Sequence, residues 1–120
     1  MTNLFEIKIC GINDKNSMLA AVEAEADYIG LVFFEKSPRN LELAIAESLI
    51  TLRNEKSKIV ALTVDARDEY ISEINKKIAP DYFQLHGNET PARCREIRSK
   101  FKIPIIKGLG IRDKTNLEEN

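Results

Sequence analysis

Five short apolar segments recur along the chain, and an amphipathic segment separates each of them from the next. The predicted strands are residues 7–10, 28–34, 58–64, 81–86 and 103–107. The second of these is a nearly uninterrupted apolar run, which is typical of a strand covered on both faces in a parallel sheet. Regular alternation of strands with helices predicts an α/β fold in which right-handed crossovers join parallel strands.

The segments between the strands have the apolar periodicity of helices. Candidate N-caps precede three of them, at Asn13 or Asp14, at Asp65 or Asp68, and at Thr90. Pro91 follows Thr90, and this pairing favours a helix start. Another helix is expected over residues 41–53, with Leu41, Ala44, Ile45, Leu49 and Leu52 on its buried side. The sequence from Asp113 onwards reads as the start of a further helix.

Two architectures fit this order, an open doubly wound sheet and part of an eight-stranded barrel. Both place function at the carboxyl ends of the strands. Polar residues cluster at that end, with Lys8 and Cys10 on one face of the first strand, Gln84 and His86 on one face of the fourth, and Lys107 at the end of the fifth. Polar groups in covered strands are costly unless they are paired. These residues therefore indicate either a site or a structural polar network.

The first strand ends in a thiol, at Cys10, and Gly11 can turn the backbone directly afterwards. Lys8 lies on the same face and can favour the thiolate, which is the form that acts as base or nucleophile. The alternative is that Cys10 is a small buried hydrophobic residue, as most free cysteines are.

Composition excludes several classes of function. Eighteen Lys and Arg residues against 19 Asp and Glu residues leave a formal net charge of -1, which gives no electrostatic basis for binding nucleic acid or an anionic membrane. No apolar run approaches the ~20 residues that span a bilayer. The cysteines, Cys10 and Cys94, form neither a disulfide framework nor a cluster with zinc-like spacing. The sequence therefore predicts a cytoplasmic protein with reduced thiols and no metal site.

Four motifs occur in order at the predicted strand ends: KICGI at residues 8–12, GLVFFEKSPR at 30–39, QLHG at 84–87 and IIK at 105–107. This ordered set, which extends over nearly all of the chain, resembles the phosphoribosylanthranilate isomerase family of tryptophan biosynthesis. The resemblance implies a TIM (βα)8 barrel that acts on a small phosphorylated substrate by an Amadori rearrangement, without a metal or an organic cofactor.

The resemblance also implies roles for four residues. Cys10 would be the base that removes the C2 proton from a Schiff base, after an aspartic acid has opened the ribose ring. Arg39 would bind the anthranilate carboxylate, for which a guanidinium fork is suited. Gln84 and His86 match a motif that lines the family's pocket, and they would position the substrate.

A TIM barrel typically has about 250 residues, whereas this chain has 120. Residues 1–120 are therefore expected to be the N-terminal part of a single barrel of about five parallel βα units, truncated before the sixth strand. The aspartate that acts as the family's general acid, and the loops that bind the phosphate, would then lie beyond Asn120. The edges of such a sheet would be open, which favours self-association or pairing with a missing C-terminal half. The isolated chain is expected to be inactive.

Other functions stay open on the sequence alone. One is another phosphate-handling barrel enzyme, and a second is a half-barrel that works only with a partner chain. A third is a complete doubly wound binding module, although no G-x-G-x-x-G fingerprint follows the first strand.

Overall fold

The computed structural model describes residues 6–107 as strands alternating with helices. The strands are β1 (Lys8–Cys10), β2 (Tyr28–Phe33), β3 (Lys58–Thr63), β4 (Tyr82–Leu85) and β5 (Ile105–Lys107). The helices are α1 (Lys15–Glu23), α2 (Leu43–Ile50), α3 (Asp68–Ile78) and α4 (Pro91–Phe101). Every predicted strand is confirmed to within two residues at each end. The helix predicted from Asp113 lies outside the described residues. None of the helices in the described range is long and apolar enough to cross a membrane.

All five strands pair in parallel and in chain order, from β1 to β5. A doubly wound sheet reverses its strand order at a switch point, whereas the strands of a barrel follow one another around the wall. Chain order throughout therefore confirms the predicted incomplete barrel of parallel strands, and the doubly wound alternative is wrong. Within residues 6–107, β1 and β5 each have one edge without a strand partner.

The outer face of the sheet packs against the helices and forms the hydrophobic core. Side chains alternate between the two faces along each strand, and residues paired in register share a face. The strands contribute Ile29, Leu31, Phe33, Ile59, Ala61, Phe83 and Leu85 to the core cluster. The helices contribute Met18, Ala21, Ala46, Leu49, Ile71, Ile74, Ile78 and Ile97. Each such large side chain contributes about 1.5–3 kcal/mol through burial, so this layer carries most of the stability.

The inner face of the sheet is concave. Lys8 Nζ donates to Gln84 Oε1 across β2 and β3, and the rings of Tyr28 and Tyr82 meet edge to face at 5.9 Å across β3. In a flat sheet β1 and β4 would lie about 14 Å apart, because neighbouring strands are about 4.8 Å apart. The two contacts therefore indicate that the sheet curves toward this face, as the wall of a barrel does.

The N-caps predicted for α1 and α4 are confirmed. Asp14 accepts the Ser17 N–H at 2.7 Å, and the Thr90 hydroxyl accepts the Arg93 N–H at 3.0 Å. Both side chains satisfy a backbone donor that the first turn of a helix leaves without a partner.

The N-cap predicted for α3 is wrong. The capping position is Arg67, which makes no side-chain capping bond. Asp68 is the first helical residue, and it pairs with Arg93 at 2.6 Å and with Lys100 at 2.7 Å. The Asp68 carboxylate therefore pairs with basic side chains of α4 instead of capping α3.

The helix predicted over residues 41–53 is shorter, and its buried side differs. Leu41 precedes α2 and donates its N–H to Val32 O at 2.8 Å, so it extends the edge of β2 instead of opening a helix. Leu41 and Leu49 are buried as predicted, but Ala44 and Ile45 are exposed. Their place is taken by Ala46, which is three residues before Leu49 and so shares its face.

Candidate active site

Cys10 lies at the carboxyl end of β1, where Gly11 turns the chain with a φ of +83°. Glycine takes this conformation without the strain that a side chain would bring, and the Gly11 N–H donates to Gly30 O at 3.0 Å. Gly30 is also the register partner of Cys10, and a Cβ atom at Gly30 would lie 2.8 Å from Cys10 Sγ. Glycine at position 30 therefore makes room for the thiol. Cys10 is exposed, so the described residues do not bury it in their core.

Arg39 reaches the end of β1 from the β2–α2 loop. Ser37 organises that loop, because its N–H donates to Phe34 O at 2.9 Å and its Oγ accepts the Arg39 N–H at 3.1 Å. A Cβ atom at Gly11 would lie 2.5 Å from Arg39 Cδ and 2.9 Å from a guanidinium nitrogen. The arginine side chain therefore packs over Gly11, the residue that follows Cys10.

Gln84 and Lys8 form a polar pair on the inner face. The Lys8 ammonium donates one of its three hydrogen bonds to Gln84 Oε1, and its effect on the thiol stays a prediction. The pair joins β1 to β4 and fixes which way the glutamine amide faces.

His86 directly follows β4 and is half-buried. Its N–H donates to Thr63 O at 2.9 Å, and the alternation of β4 places its side chain on the same face as Gln84. His86 Nδ1 is buried without a hydrogen-bond partner among residues 6–107. A buried polar atom without a partner costs free energy.

Glu89 is a site residue that the sequence did not reveal. It lies in the β4–α4 loop, and its side chain is only 4% exposed. Its Oε1 accepts the Gly87 N–H at 2.8 Å and Lys107 Nζ at 2.9 Å, and its Oε2 accepts the Asp65 N–H at 2.8 Å. One carboxylate therefore joins the carboxyl ends of β3, β4 and β5.

The charge of Glu89 is stabilised by these donors. Burial alone would raise the pKa of the carboxyl group, but the Lys107 ammonium and the backbone N–H groups of Asp65 and Gly87 outweigh it. The net result is a pKa below the usual 4.5. Glu89 is therefore ionised at neutral pH.

Asp65 completes the contact between the β3–α3 and β4–α4 loops. Its backbone has a φ of +49°, and its Oδ1 accepts the Asn88 N–H at 2.8 Å. The loops thus exchange hydrogen bonds in both directions, since Glu89 accepts from the backbone of Asp65. The Asp65 carboxylate, which was a candidate N-cap for α3, therefore bonds to the β4–α4 loop instead.

The four predicted residues line the open inner face and its rim. Cys10 and Arg39 adjoin through Gly11, whereas Gln84 and His86 share one face of β4. A cleft of about 640 Å³ lies elsewhere, between the β2–α2 and β3–α3 loops, and none of the four lines it. The inner face has no opposite wall among the described residues, so the predicted site is a surface and not an enclosed cavity.

Residues 7–120 match the family described as N-(5'phosphoribosyl)anthranilate (PRA) isomerase. The chain belongs to this family. The isomerase of Rhodopseudomonas palustris is 42% identical over 112 residues, which are 93% of this chain and 51% of that protein. For the isomerase of Cereibacter sphaeroides the identity is 42% over 113 residues, with 94% and 53% covered. The chain thus spans about half the length of the curated relatives it matches.

Solved structures of the family show the same fold. Phosphoribosyl anthranilate isomerase from Thermotoga maritima superposes with a TM-score of 0.86 at 29% identity, covering 97% of this chain and 56% of that one. A second structure with the same TM-score and identity, covering 97% and 59%, is the isomerase in complex with reduced 1-(o-carboxyphenylamino)-1-deoxyribulose 5-phosphate. The five parallel strands are therefore an incomplete TIM barrel of this family.

Proposed function

We propose that residues 1–120 are the N-terminal part of a phosphoribosylanthranilate isomerase. The complete barrel would convert N-(5-phosphoribosyl)anthranilate into 1-(2-carboxyphenylamino)-1-deoxyribulose 5-phosphate in tryptophan biosynthesis. The observation that carries the proposal is the exposed Cys10 thiol at the end of β1, with the Arg39 side chain packed over Gly11, the residue that follows it. Family membership supports the reaction, and the reduced product analogue bound to a relative supports the substrate class.

Cys10 would act as the general base. Once the ribose ring has opened to a Schiff base, the iminium acidifies the C2 proton, and a thiolate near neutral pH can take it. Loss of that proton gives an enolamine, which tautomerises to the ketone. An aspartic acid and the phosphate-binding loops would come from the rest of the barrel.

Arg39, Gln84 and His86 would hold the substrate around that base. A guanidinium binds a carboxylate through two parallel hydrogen bonds, so Arg39 would take the anthranilate carboxylate. His86 directly follows β4 and is half-buried, and the exposed part of its ring would contact the substrate. Gln84 would form the wall between them, oriented by Lys8. The steps are ring opening, in which the C–O bond breaks as the ring oxygen is protonated, and proton transfers that change no overall oxidation state, so the reaction is predicted to need no cofactor.

Arg39→Ala is expected to raise KM of the complete enzyme by about 10- to 100-fold, the worth of a charge-assisted bidentate contact, while kcat changes little. Steady-state kinetics measure both. The matched control is Arg95→Ala, which removes an exposed arginine of α4 and should leave KM unchanged. Equal KM and kcat in wild type and Arg39→Ala would remove Arg39 from the substrate site.

The proposed function can be tested by supplying the rest of a barrel. Joined to the C-terminal half of the Rhodopseudomonas palustris isomerase, this chain should restore growth without tryptophan to a strain that lacks the isomerase. Each half alone should not, because the proposed base and the proposed acid would lie on different halves. Growth with the 120-residue chain alone would contradict its predicted inactivity. A folded but inactive chimera would contradict the isomerase assignment.

The same chimera would test the proposed partner. The free edges of β1 and β5 would pair with the remaining strands of the barrel, as exposed edges favour. Self-association of the isolated chain and a cytoplasmic location stay predictions.

A further inference from the structure

The backbone around His86 is held by three hydrogen bonds. The His86 N–H donates to Thr63 O at 2.9 Å, which continues the pairing of β3 with β4. The next two bonds are not part of the sheet. The Gly87 N–H donates to Glu89 Oε1 at 2.8 Å, and Gly87 O accepts from Lys107 Nζ at 2.5 Å. Both peptide groups of Gly87 are therefore fixed by side chains, and these two side chains bond to each other at 2.9 Å.

The Glu89 side chain is buried, whereas the acidic side chains of other ion pairs are more exposed. Its side chain is 4% exposed, whereas Glu96, which pairs with Arg93 on α4, is 61% exposed. Exposed pairs contribute little, because water screens them. A buried carboxylate with three donors behaves differently, since removing it leaves the two backbone N–H groups without an acceptor. Those donors belong to Asp65, Gly87 and Lys107.

We propose that Glu89 is a positioning residue that, together with Lys107, fixes the His86 ring at the carboxyl end of β4. The inference rests on the proposed function, in which His86 contacts the substrate. An imidazole is separated from its Cα atom by one methylene group, so the backbone at residues 86–87 sets the direction of the Cα–Cβ bond and limits the positions that the ring can reach. The Nδ1 atom of His86 lacks a partner among residues 6–107, so no described side chain anchors the ring through that atom.

Glu89→Gln tests this with little change in shape. A glutamine has one oxygen and one NH2 group, so either the Asp65 N–H or the Gly87 N–H loses its acceptor. In the 120-residue chain, amide hydrogen exchange at that residue should accelerate by about tenfold, the worth of one hydrogen bond. The NMR signals of the His86 ring should shift or broaden. Glu96→Gln, the matched exposed control, should alter neither.

Kinetics of the complete barrel separate positioning from stability. Glu89→Gln should lower kcat by about 10- to 100-fold, because a small misplacement of a site residue costs that much, with KM changing little. The assay is run well below the unfolding transition of the variant. Lys107→Gln should act in the same direction, and it replaces Glu89→Gln if that variant does not fold.

Two outcomes would overturn the inference. One is a Glu89→Gln variant with a lower Tm but with wild-type His86 ring signals, which is what a purely structural carboxylate would give. The other is an unchanged kcat in a barrel whose wild type is active. If the wild-type barrel proves inactive, the proposed function fails, and the ring signals of the chain still decide whether Glu89 positions His86.

Discussion

Replacing Cys10 with serine is expected to lower turnover of the complete enzyme by about 10²- to 10⁴-fold, the contribution of a positioned general base. A serine hydroxyl is a much weaker acid than a thiol, so almost none of it is ionised near neutral pH. The smaller oxygen also fits the space that Gly30 leaves at the end of β1. Steady-state rates measure the loss, and titration with the reduced product analogue bound by a relative should give a nearly unchanged Kd.

Cys94→Ser is the matched control, because Cys94 is the other cysteine of the chain and packs from α4 against the core. It should keep wild-type kcat while losing some stability. Near-normal turnover by Cys10→Ser would remove the thiol from the role of base. A large loss of analogue binding would instead mean that Cys10 holds the substrate.

The fold was predictable where burial alone decides it. The apolar run of β2 is buried from Ile29 to Phe33, as expected for an interior strand of a parallel sheet. The prediction for α2 failed because Leu41 looks like part of a helical stripe but lies in an extended segment bonded to Val32. A buried leucine can lie in a helix or in an extended segment. Because Leu41 was counted as helical, the buried face predicted for the helix was placed on the wrong residues.

The position of a candidate site residue was predictable where the residue ends a strand. Cys10 and His86 lie at positions that strand alternation and a following glycine specify, and Arg39 was reached only through the family resemblance. Glu89 was not found because its partners are two backbone N–H groups and a lysine from three different elements. Such a cluster exists only after β3, β4 and β5 are brought side by side. The same holds for Asp65, whose partner is the backbone of another loop.

Phe83→Ala is expected to lower the free energy of unfolding by about 3–5 kcal/mol, the usual cost of deleting a buried aromatic ring. Phe83 is fully buried on the outer face of β4, between Ala61 and Ile105 in register. Small domains have only about 5–15 kcal/mol of stability in total, so this loss is large. Urea unfolding of the 120-residue chain, followed by circular dichroism, measures it. Phe83→Leu replaces the variant if Phe83→Ala has no folded baseline.

Ile106→Ala is the matched variant on the inner face, where Ile106 pairs with Gln84 and is 37% exposed. In the isolated chain it should cost only about 0.5 kcal/mol, as surface substitutions do. In the chimeric barrel the remaining strands would cover this face, and the cost should rise to the roughly 2–5 kcal/mol of a buried isoleucine. The cost of Phe83→Ala should be similar in both proteins, because the helices already bury that face. An Ile106→Ala cost that does not change between chain and chimera would mean that the inner face of β5 is not part of a closed barrel wall.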